Sequence, residues 1–352
     1  MSNIKSDSIV ITGTGMITSV GHNACQACAS IRADIVRIET IDVFEIKPVY
    51  GCPISGITDA FIDRGRFRVM VSHAMDDLIT NARLSQKDFS HTDIYLALPP
   101  LNRYYMDSNI AEKLPKEICS NNPFLLDKEH QIKLYPDGHA AAATALQDAM
   151  LALEEDRINY AIIGGVDSLV FIDTLLFFFK KGRIKYENNP YGFTPGEAAA
   201  FILLEKCCHA QKRNAAIMSA IEAPHTETEP ITIWSDKPGA GSGLSQVISK
   251  TFADLSDHGE NTGTIICDLN GEPYRAKEFG YAISRSLNGI KTNWQLVHPA
   301  SNLGDTGAAS FVISLCTGAR SLERGYSKTD NILSYGASDD GLRGAAYLRK
   351  YK

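Results

Sequence analysis

An alanine run sets the tightest limit on what this chain can fold into. HAAAATALQDAMLALEED (residues 139–156) opens with four consecutive alanines, Ala140 to Ala143, and continues with helical spacing. Alanine is the strongest helix former, and its methyl lets neighbouring backbones approach closely. The segment is therefore expected to be a helix buried between two sheets. Strand-like and helix-like segments alternate around it. IVITGTG (9–15), DIYLALPP (93–100), YAIIGGVDS (160–168), AAAFILLE (198–205) and IMSAIEA (217–223) read as strands. RFRVMVSHAMDDLITNARL (66–84) and LSQVISKTFADL (244–255) carry apolar residues at helical spacing. TIICDLNG, WQLVHPA, ASFVISLC and NILSYGA read as further strands or buried helix segments. Strands apolar on both sides, alternating with helices, indicate a sheet covered on both faces. The fold class is α/β, with two similar halves meeting near residues 205–215.

The 352 residues are 44% hydrophobic and 22% charged, enough for a large core. The formal charge of −6 disfavours nucleic acid and a polybasic membrane anchor, both of which need clustered Lys and Arg. The most apolar stretch, SLVFIDTLLFFF (168–179), contains Asp173 and ends at Lys180 and Lys181, short of the roughly 20 residues a membrane span needs. The polar start, MSNIKSDS, is unlike a secretory signal. Eight cysteines without framework spacing read as reduced thiols, giving an expected cytoplasmic location.

Six segments together resemble the β-ketoacyl synthases, members of the thiolase superfamily. They are IVITGTGMITSVGHN, RFRVMVSHAMDDLITNARLSQKDFSHTDIYLAL, DGHAAAATALQDAM through YAIIGGVDS, GFTPGEAAAFILLE, SNLGDTGAAS and LSYGASDDGLRGAAYLRK. Their order and spacing match along the whole chain, although no single motif is intact. The resemblance implies a thiolase-like fold: two similar halves, 1–208 and 209–352, in a layered α-β-α-β-α sandwich around the alanine-rich helix. The chain is shorter than a typical synthase, with the shortfall placed in the loops at 100–135 and 172–192. It also implies a dimer, pairing near residues 160–168.

A condensing synthase uses a Cys at the start of the buried helix, two His residues and a Lys. The family pattern puts the nucleophile at His139, the first His at Asn270, the second His at Asp305 and the Lys at Ala300. The glycine-rich gate reads Tyr335-Gly336-Ala337-Ser338. Imidazole cannot hold an acyl chain as a stable thioester, and four simultaneous changes argue against decarboxylative condensation. Cys267 and His298 lie in the matching strands but not at the matching positions. His139, Asn270 and Asp305 are the candidate site residues. The helix dipole favours neutral His139, whereas an Asp partner favours the cation. The cluster is either a hydrogen-bonded plug or a general base; the plug is preferred, because buried polar groups must be satisfied whether or not they react.

Other motifs carry less. Glu272 and Arg275 read as a surface pair. His22, Cys25 and Cys28 lack a second ligand pair for zinc, and the two cysteines are expected to face the core. PGAGSG (238–243) opens a helix without the Lys-Ser/Thr of a phosphate-binding loop. Cys207-Cys208-His209 reads as packing and turn, Glu197 as a buried structural acid, and Phe177 to Phe179 as acyl-pocket lining or ordinary core. No G-x-S-x-G elbow is present. No cofactor or metal is expected.

The resemblance therefore implies a synthase-like protein without condensing activity that binds a partner. That partner would be a synthase subunit in a homodimer or heterodimer, an acyl carrier protein, or an effector or secretion protein in a bacterial host. The alternative is an enzyme of altered chemistry on an acyl thioester, with His139 as base oriented by Asp305.

Overall fold

In the computed structural model the alanine run does lie at the centre. The structure describes residues 5–43, 46–101, 109–126, 128–255, 262–286 and 290–351. The first half runs β1 (Ile9–Thr18), α1 (Ala24–Arg32), the short pair β2 (Glu39–Ile41) and β3 (Val49–Gly51), α2 (Asp63–Ala82), β4 (Thr92–Ala97) and α3 (Ile110–Asn121). It continues with β5 (Ile132–Tyr135), α4 (Ala141–Glu154), β6 (Tyr160–Ser168), α5 (Ile172–Lys180), β7 (Glu197–Lys206) and α6 (Cys207–Lys212). The second half runs β8 (Ser219–Thr228), α7 (Ser242–Ala253), β9 (Thr262–Cys267), α8 (Pro273–Ser286) and β10 (Ile290–Val297). It ends with α9 (Ala300–Leu303), α10 (Ser310–Glu323), β11 (Asn331–Ala337) and β12 (Leu342–Arg349).

The strands form the order β10-β9-β11-β12-β8-β1-β7-β6-β4-β5. Read outward from the middle, β1-β7-β6-β4-β5 and β8-β12-β11-β9-β10 have the same topology. In each, the first two pairings are antiparallel and the last two parallel. The two half-sheets pair through β1 and β8, where Val10 faces Ala220 and Ile11 faces Ser219.

Burial explains the layering. Helices α4 and α10 share one apolar cluster with inward residues of both half-sheets, including Ile163, Ile202, Ile332 and Leu348. Helices α2 and α3 cover the outer face of the first half through Phe67, Met70, Leu78 and Leu114. Helices α7 and α8 cover the second through Val247, Ile248, Phe279 and Ile283. This gives the α-β-α-β-α sandwich. ASFVISLC belongs to α10, a helix buried on nearly every side, which is why its sequence shows no face.

The central helices sit so close to the strands that side chains are excluded. A Cβ on Gly344 in β12 would lie 2.2 Å from Ala143 Cβ in α4. A Cβ on Gly165 in β6 would lie 2.4 Å from the Ala308 carbonyl oxygen, just before α10. Each central helix thus meets a glycine from the sheet of the other half. Gly344→Ala is expected to destabilise the protein by about 1–3 kcal/mol through overpacking. Leu151→Ala, at a position 49% exposed on α4, is expected to change stability by no more than ~0.5 kcal/mol. Urea denaturation of the two variants checks this contrast.

Candidate functional site

Residues 137–140 lead into α4 through a tight turn. Gly138 has φ +75°, a conformation glycine adopts without steric cost. Its N–H donates to the Leu98 carbonyl at the end of the β4 strand, 3.0 Å. The Ala140 N–H donates to Ser338 Oγ at 2.9 Å, and Ser338 Oγ donates to the Asp137 carbonyl. One of the free N–H groups at the helix start is therefore already occupied by the segment after β11. His139 lies between these anchors, 4% exposed.

Asp305 arrives from the opposite side. Its N–H donates to the Thr194 carbonyl at 2.7 Å, and Gly196 N–H donates to the Asp305 carbonyl at 2.8 Å. The loop preceding β7 thus holds Asp305 on both backbone edges. The adjoining Gly304 has φ +70°, and a Cβ there would come within 2.8 Å of two carbonyl oxygens. Asn270 follows β9 in a turn; its Oδ1 accepts from the Glu272 N–H at 3.1 Å, at the start of α8.

These three elements bring His139, Asp305 and Asn270 together. His139 Nε2 is 2.8 Å from Asp305 Oδ1, which also accepts from the Gly307 N–H at 2.9 Å. Asn270 Nδ2 donates to Asp305 Oδ2 at 2.7 Å and to Glu272 Oε2 at 2.9 Å. All four acceptor directions are not filled, but both Asp305 oxygens are engaged.

The cluster extends further than the three residues. Glu272 and Arg275 are 5% and 4% exposed. They are not a surface pair, because each faces a buried partner across the site. Arg183 makes two 2.7 Å bonds to the Glu272 carboxylate and bonds of 2.7 and 3.2 Å to Asp339. Arg275 donates to Asp339 at 2.9 Å and to Asp268 at 3.2 Å. Phe178, Phe193 and Trp234 enclose the Arg183 guanidinium, with ring centres 5.0, 5.5 and 4.8 Å away. Phe178 is core, and Phe177 and Phe179 pack against the same cluster. Arg183, Asp268 and Asp339 were invisible to motif reasoning. A usable signal was the crowding of Asp268, Glu272 and Arg275 around Asn270, on the strand-to-helix turn that carries a site position.

The charge balance decides the state of His139. Four carboxylates, of Asp268, Glu272, Asp305 and Asp339, face two guanidiniums. A cationic imidazole leaves one negative charge uncompensated instead of two. Burial by itself pushes the imidazole toward neutrality, and Arg275 does the same, but Asp305 overcomes both and raises it above its ordinary value. Burial likewise would raise the Asp305 carboxyl; His139, Arg275 and Asn270 reverse this and hold it well below the usual range. Asp339 is also held low against burial, by Arg183 and Arg275. Arg275 Nη2 lies 3.5 Å from His139 Nε2. A guanidinium only donates, and Nε2 already donates to Asp305, so this approach is a repulsion and not a hydrogen bond.

Known structures share this architecture. A chain of the AntDE:AntF assembly, a type II PKS acyl-carrier protein in complex with its ketosynthase bound to the hexaketide, superposes with a TM-score of 0.78. The match has 14% identity and covers 99% of this chain and 100% of that one. The ketosynthase from module 6 of the bacillaene synthase from Bacillus subtilis 168 gives 0.81 at 14% identity, covering 98% of this chain and 72% of that one. The ishigamide ketosynthase/chain length factor gives 0.76 at 16% identity, covering 99% and 100%. The chain has the thiolase-like ketosynthase fold. No protein-family model matches the sequence, and no curated protein does.

The remaining candidates of this ketosynthase-like chain resolve as follows. Cys267 is buried in β9 and burial pushes its thiol up to about 12. Glu197 is buried and bonded to Arg66, Thr58, Ser168 and the Ile54 N–H. Gly243 N–H at the start of α7 donates to the Glu229 carboxylate at 2.8 Å, so a side chain takes the place a phosphate would need. His209 pairs with Glu205 at 3.0 Å. Cys28 faces the core, but Cys25 is exposed: the two lie on neighbouring helix faces, and the packing of α1 covers only Cys28. No group of three or more metal-ligating side chains occurs among the described residues. No helix among them is long and apolar enough to cross a membrane. Residues 102–108 and 127, within the 100–135 segment, lie outside the described residues.

The His139–Asp305 pair makes stability depend on pH with a definite sign. The His139 value is raised on folding. Its contribution is therefore complete below about pH 6.5 and fades as pH rises through the folded value. Asp305 works in the opposite sense: its contribution is present above about pH 3.9 and is lost as acid passes through the depressed folded value. Removing one partner leaves a buried carboxylate unpaired, so His139→Ala is expected to cost about 3–5 kcal/mol at pH 6. The loss should shrink at pH 9.5. Urea titrations at the two pH values measure the difference.

Proposed function

We propose that this protein is a ketosynthase-like, non-condensing subunit that acts by binding a partner. The observation that carries the reading is the locked pair at the head of α4. Where a condensing enzyme needs a free thiol, an imidazole is bonded to Asp305, and Asp305 is bonded to Asn270. Decarboxylation of a malonyl thioester needs donors free to stabilise the enolate as charge develops. Here Asn270 Nδ2 donates to two carboxylates of the protein itself. Cys267, the thiol in the strand before Asn270, is buried and protonated, so it offers no substitute nucleophile.

The pair also weighs against the alternative of a His139 base. An imidazolium already carries the proton that a base would remove, and Asp305 stabilises that state. The residues 1–208 and 209–352 are taken as two halves dividing within α6. The partner best supported is a synthase-type subunit or an acyl carrier protein, because solved relatives of this fold include a ketosynthase/chain length factor and a ketosynthase complex with its acyl-carrier protein. A cytoplasmic setting fits the reduced thiols.

Intact-mass spectrometry after incubation with acyl thioesters is expected to show unmodified protein, and malonyl thioester is expected to survive unchanged. His139→Cys is expected to accept at most an acyl group without forming a carbon–carbon bond, because Asn270, Asp305 and Ala300 still replace the other required groups. A covalent acyl adduct on the unaltered chain, or condensation by it, would refute the reading.

A further inference from the structure

A second candidate site shares no residue with the His139 cluster. A surface cavity of about 550 Å³ is lined by Cys25, Cys28, Arg32, Arg320, Arg324 and Tyr326. Its volume is within the usual range for small-molecule sites. It opens between the length of α1 and the C-terminal end of α10. Cys25 is the second residue of α1 and is exposed, whereas Cys28, one turn on, is buried. Arg320 Nη2 donates to Cys25 Sγ at 3.2 Å. Arg32 lies over the Tyr326 ring, 4.4 Å from its centre. Two acids act on this group: Glu323, which accepts from Arg320 at 2.9 Å and lies 3.9 Å from Arg324, and Asp77, whose charge reaches both Arg320 and Cys28. Three guanidiniums against two carboxylates leave the cavity with a net positive charge, although the chain as a whole carries −6.

Cys25 and the arginines line the same cavity, with Arg320 in contact with the sulfur, so a reagent held by the arginines reaches it. We propose that Cys25 is a site of mixed-disulfide formation with small anionic disulfides, such as oxidised glutathione, whose carboxylates the cavity arginines hold. The step is thiol–disulfide exchange: the Cys25 sulfur attacks one sulfur of the disulfide, the reagent's S–S bond breaks, and a protein–reagent S–S bond forms. The departing sulfur leaves as a free thiolate and takes up the proton Cys25 gave to solvent. No other oxidant is consumed. The product stops at the mixed disulfide. Cys28 would have to attack as a thiolate to displace the reagent, and burial pushes its thiol up to about 12.

The test compares disulfides of similar reactivity and opposite charge. The protein is incubated with oxidised glutathione, with cationic cystamine and with neutral hydroxyethyl disulfide, and modification is followed by intact mass and peptide mapping. At low salt the anionic reagent should modify Cys25 about tenfold faster than the cationic one, a preference that added salt weakens. In Arg320→Ala and in Arg324→Gln, which lies on the exposed helix end, the anionic rate should fall toward the cationic rate. The neutral reagent should still modify Cys25 in Arg324→Gln at nearly the parent rate, which shows that the fold and the thiol are intact; Arg320→Ala also removes a donor to the sulfur, so there the anionic rate is read relative to the neutral one. Equal rates for the charged reagents, adducts mainly at another cysteine such as Cys208, or a Cys25–Cys28 disulfide as the main product would each overturn the proposal.

Discussion

The buried ion pair between His139 and Asp305 is the constraint on which the rest of this site depends. Two charges taken out of water are costly, and their attraction offsets that only when the remaining polar atoms are also bonded. Asp305 meets that condition with Asn270 and the Gly307 N–H. The condition then propagates. Asn270 bonds Glu272, Glu272 bonds Arg183, Arg183 bonds Asp339, and Asp339 bonds Arg275. Removing a member takes a bond from each of its buried neighbours, so the network is coupled and its parts are not separately replaceable.

The fold supplies the convergence. Gly344 and Gly165 let the two central helices approach the sheets closely enough to bury both helix starts at the middle of the sandwich. The turn before α4, the loop before β7, the turn after β9 and the segment after β11 then meet at one place. On this fold the same meeting point can serve a reaction or be filled by bonded side chains. Here the side chains that meet there bond one another. The ion pairs that replace chemistry also join elements distant in sequence: Arg183 and Glu272 are 89 positions apart, and His139 and Asp305 are 166.

Much of the layered fold was legible because its strongest signals are local. The alanine run, the two-sided apolar strands of 160–168 and 198–205 and the helical spacing of 66–84 each reflect burial that a single segment records. The contact among His139, Asn270 and Asp305 was legible only through the spacing of segments along the whole chain. The outer part of the network was not. Glu272 and Arg275 look like an ordinary exposed pair at a helix start, since nothing local tells a buried guanidinium from a solvated one. Their burial is set by Arg183 and Asp339, which come from a loop after α5 and a turn after β11. The place of Cys25 was misread for a related reason. Helical spacing puts Cys25 and Cys28 on nearby faces, but only the packing of α1 beside α10 determines which of them meets solvent.

The protonation state of His139 tests the central claim most directly. Nitrogen-15 NMR of histidine-labelled protein reads both ring nitrogens, with His139→Gln identifying the signal. The account predicts that the ring loses its charge only above the ordinary value of about 6.5. A His139 ring that titrates below about 6.5 would contradict it, because Asp305 would then face a base ready to accept a proton and not a fixed cation.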